Sequence, residues 1–447
     1  MTQLQSRLER GPSEPRRLVC VDGEAVLTWE DLAARSACIA RALRSCPAGE
    51  PVLATNDAFD FLAALLACWG LRRTPVVPPN LQPATLAEFG RGDRVLLDEQ
   101  WLANVAAITA GPWLPPEPNA SVTLYTSGST GDAKAIPKSL AQLAAEVDVL
   151  DAMWGRRMGS ATMLATVPHH HLYGLLFRLA WPLAAGRPFD RRTCLDADEL
   201  LAAVRRHPRH ALVSSPSHLA RLPQLLTFDH WTPPPCALFS SGAPLDSQTA
   251  ALYLRNRGEA PIEILGSTES GGVAQRQREG SGDDAWTPLP SVNIARSLDG
   301  ALTVSSPWSS GPCRLEDEIE VAAGGRFRLG ARLDRIVKLE GKRVSLPEIE
   351  TRLGNHPWVS AAAVELVPAI GRLGAVLVPS REGRDALARG GRALIGRTLR
   401  QHVRSHSERV AVPRRFRVVD QLPLSERGKI DRMALLALLS NDDESLA

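Results

Sequence analysis

YTSGSTGDAK, from Tyr125 to Lys134, decides how this chain reads. It follows the β-rich run SVTLY (Ser121 to Tyr125) and is expected to lead into a helix. Consecutive small hydroxyl and glycine residues let backbone N–H groups and Ser and Thr hydroxyls wrap a phosphate, with Lys134 adding positive charge. The GxxxxGK[ST] spacing of a Walker A loop is absent, which disfavours a P-loop nucleotidase. Taken alone, the stretch has a plainer alternative, a flexible Gly/Ser turn.

Outward from this stretch, further β-rich runs alternate with helix-like segments: ATMLATV (Ala161 to Val167), ALVSS (Ala211 to Ser215), ALFSS (Ala237 to Ser241) and IEIL (Ile262 to Leu265). Such alternation predicts an α/β fold with a parallel sheet. Four of the five runs lead directly into TSGSTG, PHHHLYG, SGAPL and GSTESGG. Ligands of open α/β sheets bind outside the carboxyl ends of strands, where these loops would converge. Upstream, DLAARSACIARAL and FLAALLACWGL carry helical patterning and are read as part of the same large domain. After about residue 333 the alternations shorten: RIVK, a helix in LPEIETRLGN, then WVSAAAVELV, GAVLV, an Arg-rich helix and FRVV. The expected division is a large domain over residues 1–333 and a small α+β domain over residues 334–447.

A chain of 447 residues has room for two or three domains. With 44% hydrophobic and 23% charged residues it is an ordinary globular composition, and the apolar run ending at Gly70 stops at Arg72 and Arg73, so membrane insertion is not expected. The N-terminal MTQLQSRLERGPSEPRR lacks the apolar core of a secretory signal, and a cytoplasmic location follows. Seven cysteines form no CxxC pair and read as small buried hydrophobes. A formal charge of +3 is too small to imply nucleic acid.

The set of motifs, from about Leu27 to Met433, resembles the adenylate-forming superfamily of acyl-CoA synthetases, nonribosomal peptide adenylation domains and luciferases. YTSGSTGDAK looks like that family's phosphate loop, FSSGAPL (Phe239 to Leu245) like its adenine-side loop, and LGSTE (Leu265 to Glu269) like its YGxTE element. LEDEIEVAAGGRFRLGARLDRIVKLEGKRVSLPEIE resembles its ribose and hinge region, and LPLSERGKIDRMAL its C-terminal lysine motif.

The resemblance implies a large adenylate-forming domain with a small mobile lid, and ATP and Mg²⁺ as cofactors. It also implies roles. Thr126, Ser127, Ser129, Thr130 and Lys134 would hold the β- and γ-phosphates, with Gly128 and Gly131 in the same loop. Ser241, Gly242, Ala243, Leu265 and Gly266 would flank the adenine, Thr268 would touch the α-phosphate, and Glu269 would sit by Mg²⁺. Asp317 would accept hydrogen bonds from the ribose, Arg332 and Asp334 match the arginine and hinge aspartate of a GRxD element, and Lys429 would be the catalytic lysine. His171 in PHHHLYG is the candidate gate to the carboxylate entrance, although a histidine run also suits a core contact.

Departures accompany these matches. Ala133 and Ala135 replace the usual Pro and Gly, Leu265 an aromatic residue, Leu315-Glu316 a Thr-Gly pair, and Ala331 a glycine. Lys138 is an additional basic residue, read as structural.

For the substrate, PHHHLYG offers no acid to pair with an α-ammonium, so a carboxylic acid without one is expected. The short N-terminal portion and PHHHLYGLLFRLAWPL look similar to aryl or acyl carrier-protein ligases of xanthomonadin and aryl-polyene type pigment pathways, which makes a hydroxybenzoate the first choice. From Arg384 to Arg417 there are ten arginines against Asp385 and Glu408, a charge that would attract an acidic acyl carrier protein and would also suit CoA. A basic helix that merely faces water is the plainer alternative. A phosphotransferase releasing ADP and a non-catalytic acyl-adenylate binding protein are the competing function classes.

Overall fold

The computed structural model describes residues 2–105, 111–127, 133–226, 228, 231–280, 284–298, 300–332, 335–339, 342–405, 407, 409–425 and 430–440. Gly128, Ser129, Thr130, Gly131, Asp334 and Lys429 lie outside these residues. The chain forms two compact units, Met1–Ile294 with Val304–Cys313, and Ala295–Thr303 with Arg314–Ala447.

In the first unit the strands run β1 (Leu18–Asp22), β2 (Ala25–Thr28), β3 (Pro51–Leu53), β4 (Val76–Val77), β5 (Val95–Leu97), β6 (Ser121–Ser127), β7 (Ala133–Ser139), β8 (Thr162–Ala165), β9 (Phe189–Asp190), β10 (His210–Ser214), β11 (Leu238–Ser241), β12 (Ile262–Ser267), β13 (Gly271–Gln277) and β14 (Thr287–Pro288). They make a nine-stranded sheet in the order β14-β13-β12-β11-β10-β8-β9-β1-β2 and a five-stranded sheet in the order β5-β3-β4-β6-β7. The stretch β8-β10-β11-β12 is parallel, so the chain leaves each strand toward the same edge. SVTLY departs from the expected single sheet, because β6 pairs with β4 and β7 instead.

The segment FLAALLACWG forms the helix Ala58–Gly70, buried along almost its whole length. At 13 residues it is a core helix. Among the described residues no helix is long and apolar enough to cross a membrane. The helix Trp29–Leu43 starts at a capping box in which Thr28 and Asp31 bond each other's backbone N–H.

The second unit carries a sheet of Asn293–Arg296, Ala301–Ser305, Cys313–Val321 and Phe327–Arg332, whose residues fall chiefly within it. It also holds a three-stranded sheet of Val359–Val367, Arg372–Pro379 and Arg415–Val418. Period-two alternation in the middle strand serves two cores. Leu373, Ala375 and Leu377 join Leu353, Leu399 and Phe416, while Val376 joins Leu435 and Leu439. The Arg-rich helix Arg381–Arg404 breaks at Gly391, whose φ of 63° belongs to the region that glycine adopts without strain.

Candidate active site

The strands before and after residues 128–132, β6 and β7, pair antiparallel, with Thr126 opposite Lys134. The helix expected directly after the loop begins only at Leu140. Pro137 explains the difference. Inside a helix it would remove a hydrogen bond and clash with the preceding turn, whereas β7 is an edge strand, where a missing N–H is tolerated. Ile136 and Lys138 are buried on this strand, while Lys134 is exposed.

The second element is the turn between β12 and β13, which carries Thr268 and Glu269. Ser267 and Ser270 bond reciprocally, each backbone N–H donating to the other's hydroxyl at 3.1 Å. Lys134 Nζ reaches Glu269 Oε1 at 3.1 Å. Burial alone would raise the Glu269 carboxyl, but hydrogen bonds and the Lys134 ammonium outweigh it and hold the group below the usual carboxylate range. Glu269 is therefore an anion at neutral pH.

Three residues that the sequence did not single out as functional support this turn. Lys138, read as structural, donates from Nζ to the Glu269 carbonyl at 2.9 Å and to the Trp308 carbonyl at 3.1 Å. Trp308 Nε1 donates to the Gly272 carbonyl at 2.9 Å, and the Gly272 N–H donates to Glu146 Oε1 at 2.7 Å. Gly271, at φ 68°, packs so tightly that an added Cβ would collide with Trp308 and lie 2.7 Å from Glu146 Oε2.

Burial pushes the Glu146 carboxyl up to about 7, opposed by the Gly272 N–H and the Lys138 ammonium. A carboxyl raised in the folded state costs nothing below its unfolded value. Its penalty grows as pH climbs through the window between the ordinary carboxyl value of 4.5 and about 7. Between about pH 5 and 8, Glu146→Gln should gain up to about 3 kcal/mol of stability relative to the unmodified chain. Urea unfolding at the two pH values measures this, and a difference that does not change with pH would contradict it.

Ser241 ends β11, opposite Ile264 of β12, and Gly242 and Ala243 follow it, near Leu265 and Gly266. Ser241 Oγ donates to the Ile264 carbonyl at 2.8 Å. Buried Glu263 holds this neighbourhood, bonding Arg276 and Arg278 and accepting from the Leu245 N–H at 3.3 Å. The PHHHLYG run follows β8 and separates its histidines. His169 and His170 are buried, each with Nε2 3.0 Å from the Thr55 carbonyl, while His171 keeps partial exposure. Burial drives His169 well below the usual imidazole value, with His170 and Arg178 adding to the effect. Two of the three histidines thus anchor the segment.

Lys134, Glu269 and Thr268 therefore gather at one place, and Ser241 to Ala243 and Leu265 to Gly266 at adjoining strand ends. Asp317 and Arg332 belong to the second unit, where they stand opposite each other on neighbouring antiparallel strands.

The AMP-binding enzyme family model matches residues 91–299, and the AMP-binding enzyme C-terminal domain model matches residues 348–429, together about two thirds of the chain. The chain belongs to the AMP-binding enzymes. This AMP-binding enzyme is 28% identical over 324 residues to a 4-coumarate–CoA ligase of Cereibacter sphaeroides, covering 70% of this chain and 71% of the relative. It is 29% identical over 315 residues to a 4-coumarate–CoA ligase of Rhodobacter capsulatus, covering 69% and 74%. Its fold matches ATP-bound MatB from Rhodopseudomonas palustris with a TM-score of 0.80 at 21% identity, over 98% of this chain and 99% of that one. A benzoate CoA ligase from Burkholderia xenovorans matches with a TM-score of 0.75 at 19% identity, over 97% and 99%.

The side chains fit a magnesium nucleotide. Lys134 supplies an exposed ammonium beside hydroxyl-bearing β6, and Glu269 supplies one ionised carboxylate. Among the described residues no three His, Cys, Asp or Glu side chains cluster as a metal cage. Mg²⁺ suits such a place, since it binds through one or two carboxylates together with water and substrate phosphates.

Proposed function

We propose that this AMP-binding enzyme is an acid–thiol ligase that activates a carboxylic acid with ATP as its acyl-AMP and passes the acyl group to a thiol. The observation that carries the reading is the Lys134–Glu269 pair, which joins the strand after the phosphate loop to the turn after β12. An ammonium and an ionised carboxylate, held together, suit a polyphosphate and its divalent cation. A substrate carboxylate oxygen attacks the α-phosphorus in line, pyrophosphate leaves, and a thiolate then attacks the acyl carbon and expels AMP. Lys134 neutralises the departing phosphates, Lys429 supplies charge at the α-phosphoryl group, and Thr268 orients it. Magnesium, when bound, offsets charge on the phosphate oxygens. Asp317 and Arg332 serve the ribose, and His171 borders the entry of the acid.

The relatives' names favour CoA as the acceptor and an aryl acid such as a hydroxycinnamate or benzoate as the substrate. CoA therefore displaces the carrier protein as the first choice. A carboxylate panel assayed for pyrophosphate release and AMP tests the reading. Formation of ADP in place of AMP would sink it.

One observation supports a carrier protein as a second acceptor. Seven of the ten arginines between Arg384 and Arg417 are exposed: Arg384, Arg389, Arg392, Arg397, Arg404, Arg409 and Arg414. The other three are engaged in packing. Arg400 lies over the Phe416 ring, and Arg415 and Arg417 bond the Leu439 and Leu438 carbonyls. If the exposed face docks an acidic protein, reversing Arg389, Arg397 and Arg404 to Glu should slow transfer to an acyl carrier protein about tenfold and leave adenylation unchanged. Added salt should reproduce much of the defect in the unmodified chain. Fast transfer to CoA with none to any carrier protein would remove this second reading.

A further inference from the structure

We infer that Lys138 is a positioning residue for Glu269: its buried ammonium fixes the carboxylate by its backbone, with Glu146 as second anchor of the same turn. The inference rests on Glu269 being the carboxylate beside the nucleotide's cation.

Strand β7 meets Glu269 twice. At its exposed end Lys134 touches the carboxylate, and at its buried end Lys138 holds the carbonyl. The two contacts differ in what they leave available. Phosphates arriving at the loop compete for Lys134, which loosens its hold on the side chain. Lys138 bonds only main-chain oxygens among the contacts described, so its own hold occupies neither Glu269 carboxylate oxygen. The far end of the segment is closed by Trp308 on the Gly272 carbonyl and Glu146 on the Gly272 N–H. Glu269 to Gly272 is thus clamped at both ends by three side chains, from β7, from the helix Leu140–Met158 and from the chain at Trp308.

A buried ammonium is costly unless it is hydrogen-bonded and its charge answered. Burial pulls the Lys138 ammonium below its usual value, and Glu146 is the foremost of the groups opposing that. An apolar side chain would fill the same space without that cost, but it could not grip a carbonyl. Partners that orient a metal's ligands typically change metal affinity by about 10- to 100-fold when removed.

Three variants of the full chain test this, with ATP itself as the probe. ATP binding is measured calorimetrically with magnesium and with EDTA for Lys138→Met, for Lys138→Met with Glu146→Gln, and for Glu269→Ala. The double variant removes the charge left unanswered by the first, so folding remains measurable if the single variant unfolds. Folded chains lacking Lys138 should lose at least about tenfold of the gain in ATP affinity that magnesium confers, while affinity in EDTA stays within about twofold. A purely structural role gives a different result: a lower melting temperature with the magnesium gain intact, or equal losses with and without magnesium. Either result overturns the inference. Glu269→Ala separates the two levels. If it also keeps the magnesium gain, the reading of Glu269 fails and the inference falls with it; if it loses the gain while the Lys138 variants keep it, only the inference fails.

Discussion

Replacing Lys429 with alanine should lower acid-dependent pyrophosphate exchange by about 100- to 1,000-fold, the usual effect of removing one donor aimed at charge that develops in a transition state. When a carboxylate approaches the α-phosphoryl group, two anions are forced together. A lysine ammonium bridging them lowers the barrier without forming a bond. Lys429 stands in GKIDR, and its flanks Leu424 and Ile430 pair with each other in antiparallel fashion. The melting temperature should stay unchanged, so that a loss of exchange reports on chemistry and not on folding. Transfer from preformed acyl-AMP to a thiol should survive better than activation, because attack at the acyl carbon needs no charge at the phosphorus. Near-normal exchange in this variant would falsify the assignment.

Glu269→Gln is expected to raise the magnesium concentration needed for half-maximal activity by about tenfold, equivalent to about 1.4 kcal/mol. The amide keeps the shape and loses the charge. Because hydrogen bonds and Lys134 hold the Glu269 carboxyl below its usual range, the native group is fully ionised at neutral pH, and the effect should be constant from about pH 6 to 8. Activity against free magnesium at fixed ATP measures it. An unchanged curve would mean that Glu269 is an ordinary ion-pair partner of Lys134.

The sequence made the fold class legible because its signals were local. Ile262 to Leu265 and Ala211 to Ser215 are short β-rich runs followed by turn residues, and they became adjacent parallel strands around β11. Lys134 was singled out from the loop motif, but its place on strand β7 and not on a helix was not legible. The support beneath Glu269 was not, because its partners come from far along the chain: the Lys138–Glu269 bond spans 131 residues, the Lys138–Trp308 bond 170 and the Glu146–Gly272 bond 126. One signal was available. Glu146 falls three residues after Leu143 and four before Leu150, on the buried face of its helix, where a carboxylate needs a partner. The arginine count misled in the opposite direction. Arg417 alternates with buried Phe416 on a strand and is itself buried, which a tally of charges does not register.

Attack of a carboxylate oxygen on the α-phosphorus of ATP leaves an isotopic record. An acid that supports pyrophosphate release is labelled with ¹⁸O in its carboxylate and turned over with ATP and CoA, and the nucleotide product is weighed by mass spectrometry. The AMP formed should carry a single ¹⁸O atom from the acid. Unlabelled AMP, or ADP with labelled phosphate, would contradict it.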